Sequence, residues 1–333
     1  MALLCAPRAV AQGPSAPSSP APTEPAGPAS TAPRPPGPAS WAPNQLEAPP
    51  ASAALPEPSS PPRGAFDAGS VDWRPEFRRV GWPEYVATPV LAAGVLLEVL
   101  AKPETEAGWK GPILLDRPMQ DLLRIESASG RTRADTISNV LVGVSLLQVL
   151  LVDPWLVAGL VHRRADVAWQ MTVIDAQVYG LTLFASRLTK RVVARERPNA
   201  EGCGEASSDA SCTNEDRYES FFSGHTTSTS TFAGLTCAHH QKLALYGSFA
   251  ADLGACLASA SLSIGTGLLR VASDNHWWSD VVVGQMVGFS TSYLLTWARY
   301  YAAGKAPASS AELPVIVPIV GSGVVGLAVG GRL

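Results

Sequence analysis

Three short clusters in this chain hold residue types that bind anions and move protons. The first is Lys190-Arg191-Val192-Val193-Ala194-Arg195-Glu196-Arg197-Pro198. Lys190 and Arg197 are seven apart, so a helix would carry both on one face, about two turns from each other. Pro198 is expected to stop that helix. Alone, the cluster reads as a basic helix end that complements the macrodipole or anchors at a membrane surface. The second is Ser220-Phe221-Phe222-Ser223-Gly224-His225. Ser223 suits an N-cap, and the free N–H groups of a helix start receive phosphate. His225 would then sit beside the anion; the plainer alternative is an ordinary cap followed by a buried histidine. The third is Arg270-Val271-Ala272-Ser273-Asp274-Asn275-His276-Trp277-Trp278-Ser279-Asp280. Asp280 follows His276 by four, where a carboxylate can hold an imidazole tautomer and stabilise its charged form. Alone, this is a surface His–Asp pair beside two interfacial tryptophans.

The clusters say more together. Each falls at a helix end, and helices alternate direction in an up-down bundle. All three therefore meet on one side, which collects three cations, a hydroxyl, two histidines and a carboxylate. That set suits phosphoryl transfer. Cations offset charge on the phosphoryl oxygens, one histidine attacks, and another protonates the leaving oxygen.

The elements that must position these residues read as six helices, over 85–101, 136–161, 166–189, 224–240, 243–269 and 278–300, with a short amphipathic piece from Met119 to Ile125. Only 136–161 has the length and apolar content expected of a membrane span. The others carry Glu98, Asp175, Gln177, Asp252 or many Ser and Thr, which belong in a bundle interior. Trp73, Arg78, Arg79 and Trp82 read as an interfacial anchor. The fold class expected is all-α: a helical bundle, membrane-embedded, over 72–305. A disordered Pro/Ala/Ser-rich linker over 13–71 precedes it, after a short stub at 1–12 that resembles a degenerate signal. A glycine-rich tail over 306–333 reads as two strands around a turn, with Pro318 confining the first to an edge, and a last glycine-rich helix is the competing reading.

The spacings K-x6-RP, SGH and R-x5-H-x3-D resemble those of the type 2 phosphatidic acid phosphatase (PAP2) superfamily, across 136–300. The resemblance implies His276 as nucleophile, His225 as general acid and Asp280 as the residue that orients the nucleophile. Lys190, Arg197, Ser223, Gly224 and Arg270 would hold the phosphate, and no metal or other cofactor is needed. Phe222 stands where the family's second motif usually has proline, and Leu269 where the third usually has serine. Both bear on the shape of the phosphate cradle rather than on the reaction type.

The rest of the composition narrows the setting. A net charge of -3 gives no sign of a nucleic-acid partner, and 16% charged with 46% hydrophobic residues fits a membrane protein. The expected partners are a phosphorylated lipid or small phosphoester and the membrane itself. The basic loop at His162-Arg163-Arg164 lies opposite the clusters, so the positive-inside rule turns the site toward the periplasm of a bacterial inner membrane. A Cys203–Cys212 disulfide would agree with that side, whereas Cys237 and Cys256 read as packing residues. The excursion Asn199–Glu219 beside the site reads as a solvated insertion rather than a lid, and His162, His239 and His240 as solvated helix-end residues. Three competing readings remain: an exported soluble acid phosphatase, a vanadate-dependent haloperoxidase on the same residue set, and a non-enzymatic membrane protein.

Overall fold

The computed structural model describes residues 71–103, 105–201, 203 and 216–302, and the backbone of 315–321 and 324–330. The stub and most of the Pro/Ala/Ser-rich linker lie outside the described residues. Seven helices form the body. They are α1 (Trp82–Leu100), α2 (Asp116–Leu123), α3 (Ala128–Leu147), α4 (Ala165–Val193), α5 (Gly224–Leu243), α6 (Phe249–Ala272) and α7 (Trp278–Thr296). Wider π-helical turns extend α3 through Gln148–Val161 and α7 through Trp297–Tyr301. In the tail, β1 (Val315–Gly321) pairs antiparallel with β2 (Val324–Gly330), with Pro318 opposite Leu327. The hairpin forms, and with only two strands paired each is an edge strand, where proline is tolerated.

The centre of the bundle is α5, which packs against α3, α4, α6 and α7. It is buried without a break from Thr226 through His240 although its first half is mostly Ser and Thr. The hydroxyls satisfy themselves locally. Thr227 donates to the Ser223 carbonyl at 2.7 Å and Thr231 to the Thr227 carbonyl at 2.8 Å. Close backbone approach to α7 completes the packing. A Cβ at Gly288 would meet the Thr227 carbonyl oxygen at 2.5 Å, and one at Gly284 the Ser223 carbonyl oxygen at 3.0 Å. Small residues four apart are what such a helix pair requires.

Among the described residues three helices, not one, are long and apolar enough to cross a membrane: α1, α3 with its extension, and α6. Their exposed faces carry Val90, Leu97 and Leu100; Val140, Leu151 and Leu160; and Leu257 and Ile264. The polar residues noted on α1, α4 and α6 each have a partner on a neighbouring element. Glu98 accepts from Arg191 at 2.8 Å, and Gln177 from the Tyr300 hydroxyl at 2.9 Å. Asp175 lies 2.8 Å from His239, and Asp252 lies 2.7 Å from His240.

Several expectations are thereby corrected. His239 and His240 are buried rather than solvated, because each meets a carboxylate inside the bundle. Trp73 is a core residue packed on Phe77 and Tyr301, not an interfacial anchor, and Arg79 pairs with Asp166. Cys237 and Cys256 are joined in a disulfide that staples α5 to α6. Cys203 is also disulfide-bonded, whereas Cys212 lies outside the described residues, as does most of the Asn199–Glu219 excursion.

Candidate active site

A cavity of about 760 Å³ opens among the ends of α4, α5 and α6. Its walls include Lys190, Arg197, Gly224, His225, Arg270 and His276, so all three clusters reach one space. The route differs from the one expected for the first cluster. Helix α4 ends at Val193, where Ala194 turns left-handed at φ 44°. Arg197 therefore approaches from the connection beyond the helix, not from its face. Pro198 comes too late to be the stop signal.

The cations arrive already engaged. Lys190 Nζ donates to the Glu219 carbonyl at 2.9 Å, with the Glu219 carboxylate 4.0 Å away. Arg197 pairs with Asp216 at 2.6 Å, and Arg270 pairs with Asp135 and donates to Ser138 Oγ at 3.2 Å. Burial, reinforced by Arg197, pushes Lys190 down to about 7. Burial followed by the field of Arg270 and Lys190 pushes His225 down to about 3. His276 falls well below the usual histidine range by burial first, then Arg197 and Arg270. Burial is the largest cause of each shift and the neighbouring cations add to it, so the cavity disfavours further positive charge and suits an anion.

Local geometry fixes the histidines. Ser223 caps α5, its Oγ accepting from Thr226 Oγ1 at 2.9 Å and from the Thr226 N–H at 3.5 Å. That seals the cap behind the cavity wall, while Gly224 and His225 face the space. His225 Nε2 lies 2.5 Å from Asn139 Oδ1 of α3. His276 precedes α7, and its Nδ1 donates to the Ser220 carbonyl at 2.8 Å. A carbonyl has no proton to give, so Nδ1 carries the hydrogen and Nε2 keeps its lone pair.

Asp280 stands 3.8 Å from Nδ1, beyond hydrogen-bonding distance. Its Oδ2 accepts from Ser220 Oγ at 2.5 Å and from the Trp277 N–H at 3.0 Å. Burial raises its pKa, opposed by Arg195 and by the Ser220 hydroxyl. The expected direct His276–Asp280 bond is thus replaced by a contact through Ser220.

Residues 174–303 match the family model described as the PAP2 superfamily. The match covers 130 of the 333 residues and is a likeness of that segment. No curated protein and no solved structure matches the chain. The PAP2 segment holds every site residue anticipated from the sequence, from Lys190 to Asp280. Helices α1 to α3 fall outside it, yet α3 supplies Asp135 and Asn139 to the cavity wall. These two were missed, although polar residues four apart at the start of an apolar run are a usable signal. Arg195, Ser220 and Asp116 were also missed as participants, and Asp116 has no local pattern to mark it. Among the described residues no group of three or more His, Cys, Asp or Glu is arranged to hold a metal.

Proposed function

We propose that this protein hydrolyses phosphate monoesters or diphosphates of lipids at the α4–α7 cavity, through a phosphohistidine on His276. The observation that carries the reading is the free Nε2 lone pair of His276, facing the same space as Lys190, Arg197, Arg270 and the start of α5. Nε2 attacks phosphorus, and the bond from phosphorus to the leaving oxygen breaks. With the phosphoryl anion bound among the cations, His225 is protonated; its imidazolium gives that proton to the oxygen, returning to neutral imidazole, and the alcohol or phosphate departs. Water then attacks the phosphohistidine, His225 takes its proton, and the nitrogen–phosphorus bond breaks to release phosphate. Lys190, Arg197 and Arg270 offset the charge on the phosphoryl oxygens, and the Nδ1–H bond to Ser220 stabilises the ring when it becomes positive.

A lipid substrate is supported by the apolar outer faces of α1, α3 and α6 and by the apolar part of the cavity wall, Pro103, Val142, Tyr179 and Leu183. We assign the site to the side opposite the basic Arg163–Arg164 loop, hence the periplasmic face of a bacterial inner membrane. The disulfide at Cys203 supports the same side.

The test is phosphate release from phosphatidate and polyprenyl diphosphate by purified protein in detergent and EDTA, with brief labelling from radioactive substrate. Wild type should trap an acid-labile, base-stable phosphoryl group. His276→Ala should lose both the label and at least about a thousandfold in turnover while remaining folded. Near-native turnover in that variant would overturn the mechanism. A clear preference for small soluble esters would overturn the lipid assignment.

A further inference from the structure

We propose that Arg195 and Ser220 are positioning residues for His276, with Asp116 of α2 as their anchor, a proposal that rests on the phosphatase reading above. Arg195 is wholly buried. Its guanidinium bridges two carboxylates, Asp280 Oδ1 at 2.5 Å and Asp116 Oδ2 at 2.6 Å. It also donates to Ser279 Oγ at 2.8 Å and to the Gly111 carbonyl at 3.1 Å, and lies over the Trp109 ring at 3.9 Å. A planar fork satisfies two carboxylates at once, which an ammonium cannot do.

The bonds from this cluster to Asp280, Ser279 and Ser220 end on groups that flank His276. Ser220 is held twice, and both holds run through Arg195. Its N–H donates to the Arg195 carbonyl at 3.0 Å, and its Oγ donates to the Asp280 carboxylate that Arg195 clamps. Ser220 thereby presents its own carbonyl to His276 Nδ1. On the other side, Asp116 accepts from the Ser279 N–H at 2.7 Å and from Ser279 Oγ at 2.9 Å, fixing the start of α7. None of Arg195, Ser220 and Asp116 borders the cavity, so they act through His276 rather than on substrate. Asp116 also lies outside the PAP2 segment, so the histidine's support extends beyond the matched residues. Replacing a buried ion pair by apolar packing is often neutral for stability. Function therefore accounts better than stability for three charges gathered behind one histidine.

The experiment uses Arg195→Lys, Asp116→Asn and Ser220→Ala in the full chain, in detergent, with a soluble aryl phosphate. For each folded molecule kcat should fall roughly tenfold to a hundredfold with KM within about twofold. The acid limb of kcat against pH should move upward for Arg195→Lys and Ser220→Ala, because Asp280 loses a group that keeps it ionised. A purely structural role would lower the folded fraction and leave the kcat, KM and pH limb of folded molecules unchanged. Those unchanged values would overturn the proposal. Should Arg195→Lys not fold, Ser220→Ala removes a single hydroxyl and decides the matter. The histidine spectrum of 15N-labelled protein separates this proposal from the phosphatase reading. If wild type releases no phosphate from any ester, that reading fails. Loss of the hydrogen-bonded Nδ1–H signal of His276 in Ser220→Ala would still support positioning, and an unaltered signal would sink it.

Discussion

His276 Nδ1 donates to the backbone carbonyl of Ser220, 56 residues earlier in the chain, at 2.8 Å. A side-chain carboxylate in that place could take the proton or swing away. A carbonyl can do neither, so the ring is held in one tautomer with Nε2 toward the cavity. The nucleophile's readiness is therefore built into the backbone path of Ser220, and Asp280 acts one bond further back.

The role of His225 predicts a dependence on the leaving group. His225→Ala should slow alkyl and lipid phosphates by roughly a hundredfold or more, but nitrophenyl phosphate much less, since nitrophenolate leaves without a proton. Parallel steady-state assays on both esters check this. Equal loss on both would remove His225 as the acid.

Without phosphate in the buffer, the buried Lys190 should be a liability near neutral pH. Lys190 is pushed from its ordinary 10.5 down to about 7 in the folded protein. Between those values the unfolded chain binds the extra proton, so stability rises with pH from about 7 to 10.5 and the full penalty applies below 7. Lys190→Met should raise the thermal midpoint of the unliganded protein at pH 7 and flatten its rise toward pH 10. Millimolar phosphate should stabilise the wild type, and Lys190→Met should lose most of that stabilisation. Thermal scans across pH, with and without phosphate, read both effects.

Helix α7 should tolerate no side chain at Gly288. The added Cβ in Gly288→Ala lies 2.5 Å from the Thr227 carbonyl oxygen, so α5 and α7 must part. Overpacking of this kind costs about 1–3 kcal/mol. Activity should drop as well, because Thr227 sits on the same turn as His225. Gly254→Ala in α6, where no atom lies within 4 Å, is the control and should be neutral or slightly stabilising. Denaturant or thermal unfolding of the two variants makes the comparison.

The Cys237–Cys256 disulfide closes a loop of 19 residues between α5 and α6. Replacing both cysteines by serine should lower stability by about 2–4 kcal/mol and leave turnover at room temperature nearly unchanged, since neither cysteine borders the cavity. Thermal midpoint and kcat measured on the same preparation would reveal any departure.

The chemistry of the site was legible because it is local. Ser223 as a cap, His225 one residue into α5, and Arg270 and His276 on either side of a helix end are set by neighbours in sequence, through propensity and capping. Their alternation between ends of an up-down bundle was enough to bring them to one side. The limits of local reading appear at Ala194 and at α5. Proline marked the stop at 198, but the helix breaks four residues earlier, where Arg195 turns inward to two buried carboxylates. Helix α5 read as too polar for a lipid-facing span and suited to a bundle interior, but only the folded chain shows how: its hydroxyls bond their own backbone.

The sequence by itself determined the helices, their order and the residues able to bind and attack phosphate, because periodicity and caps act over a few residues. Tertiary structure alone decided that the Ser220 carbonyl rather than Asp280 accepts the hydrogen bond from His276 Nδ1–H. It also decided that Asp116 of α2 holds the start of α7 across 163 positions, and that Asn139 of α3 meets His225. Such partners share no local pattern; only the packing of one helix on another sets which groups come within 3 Å.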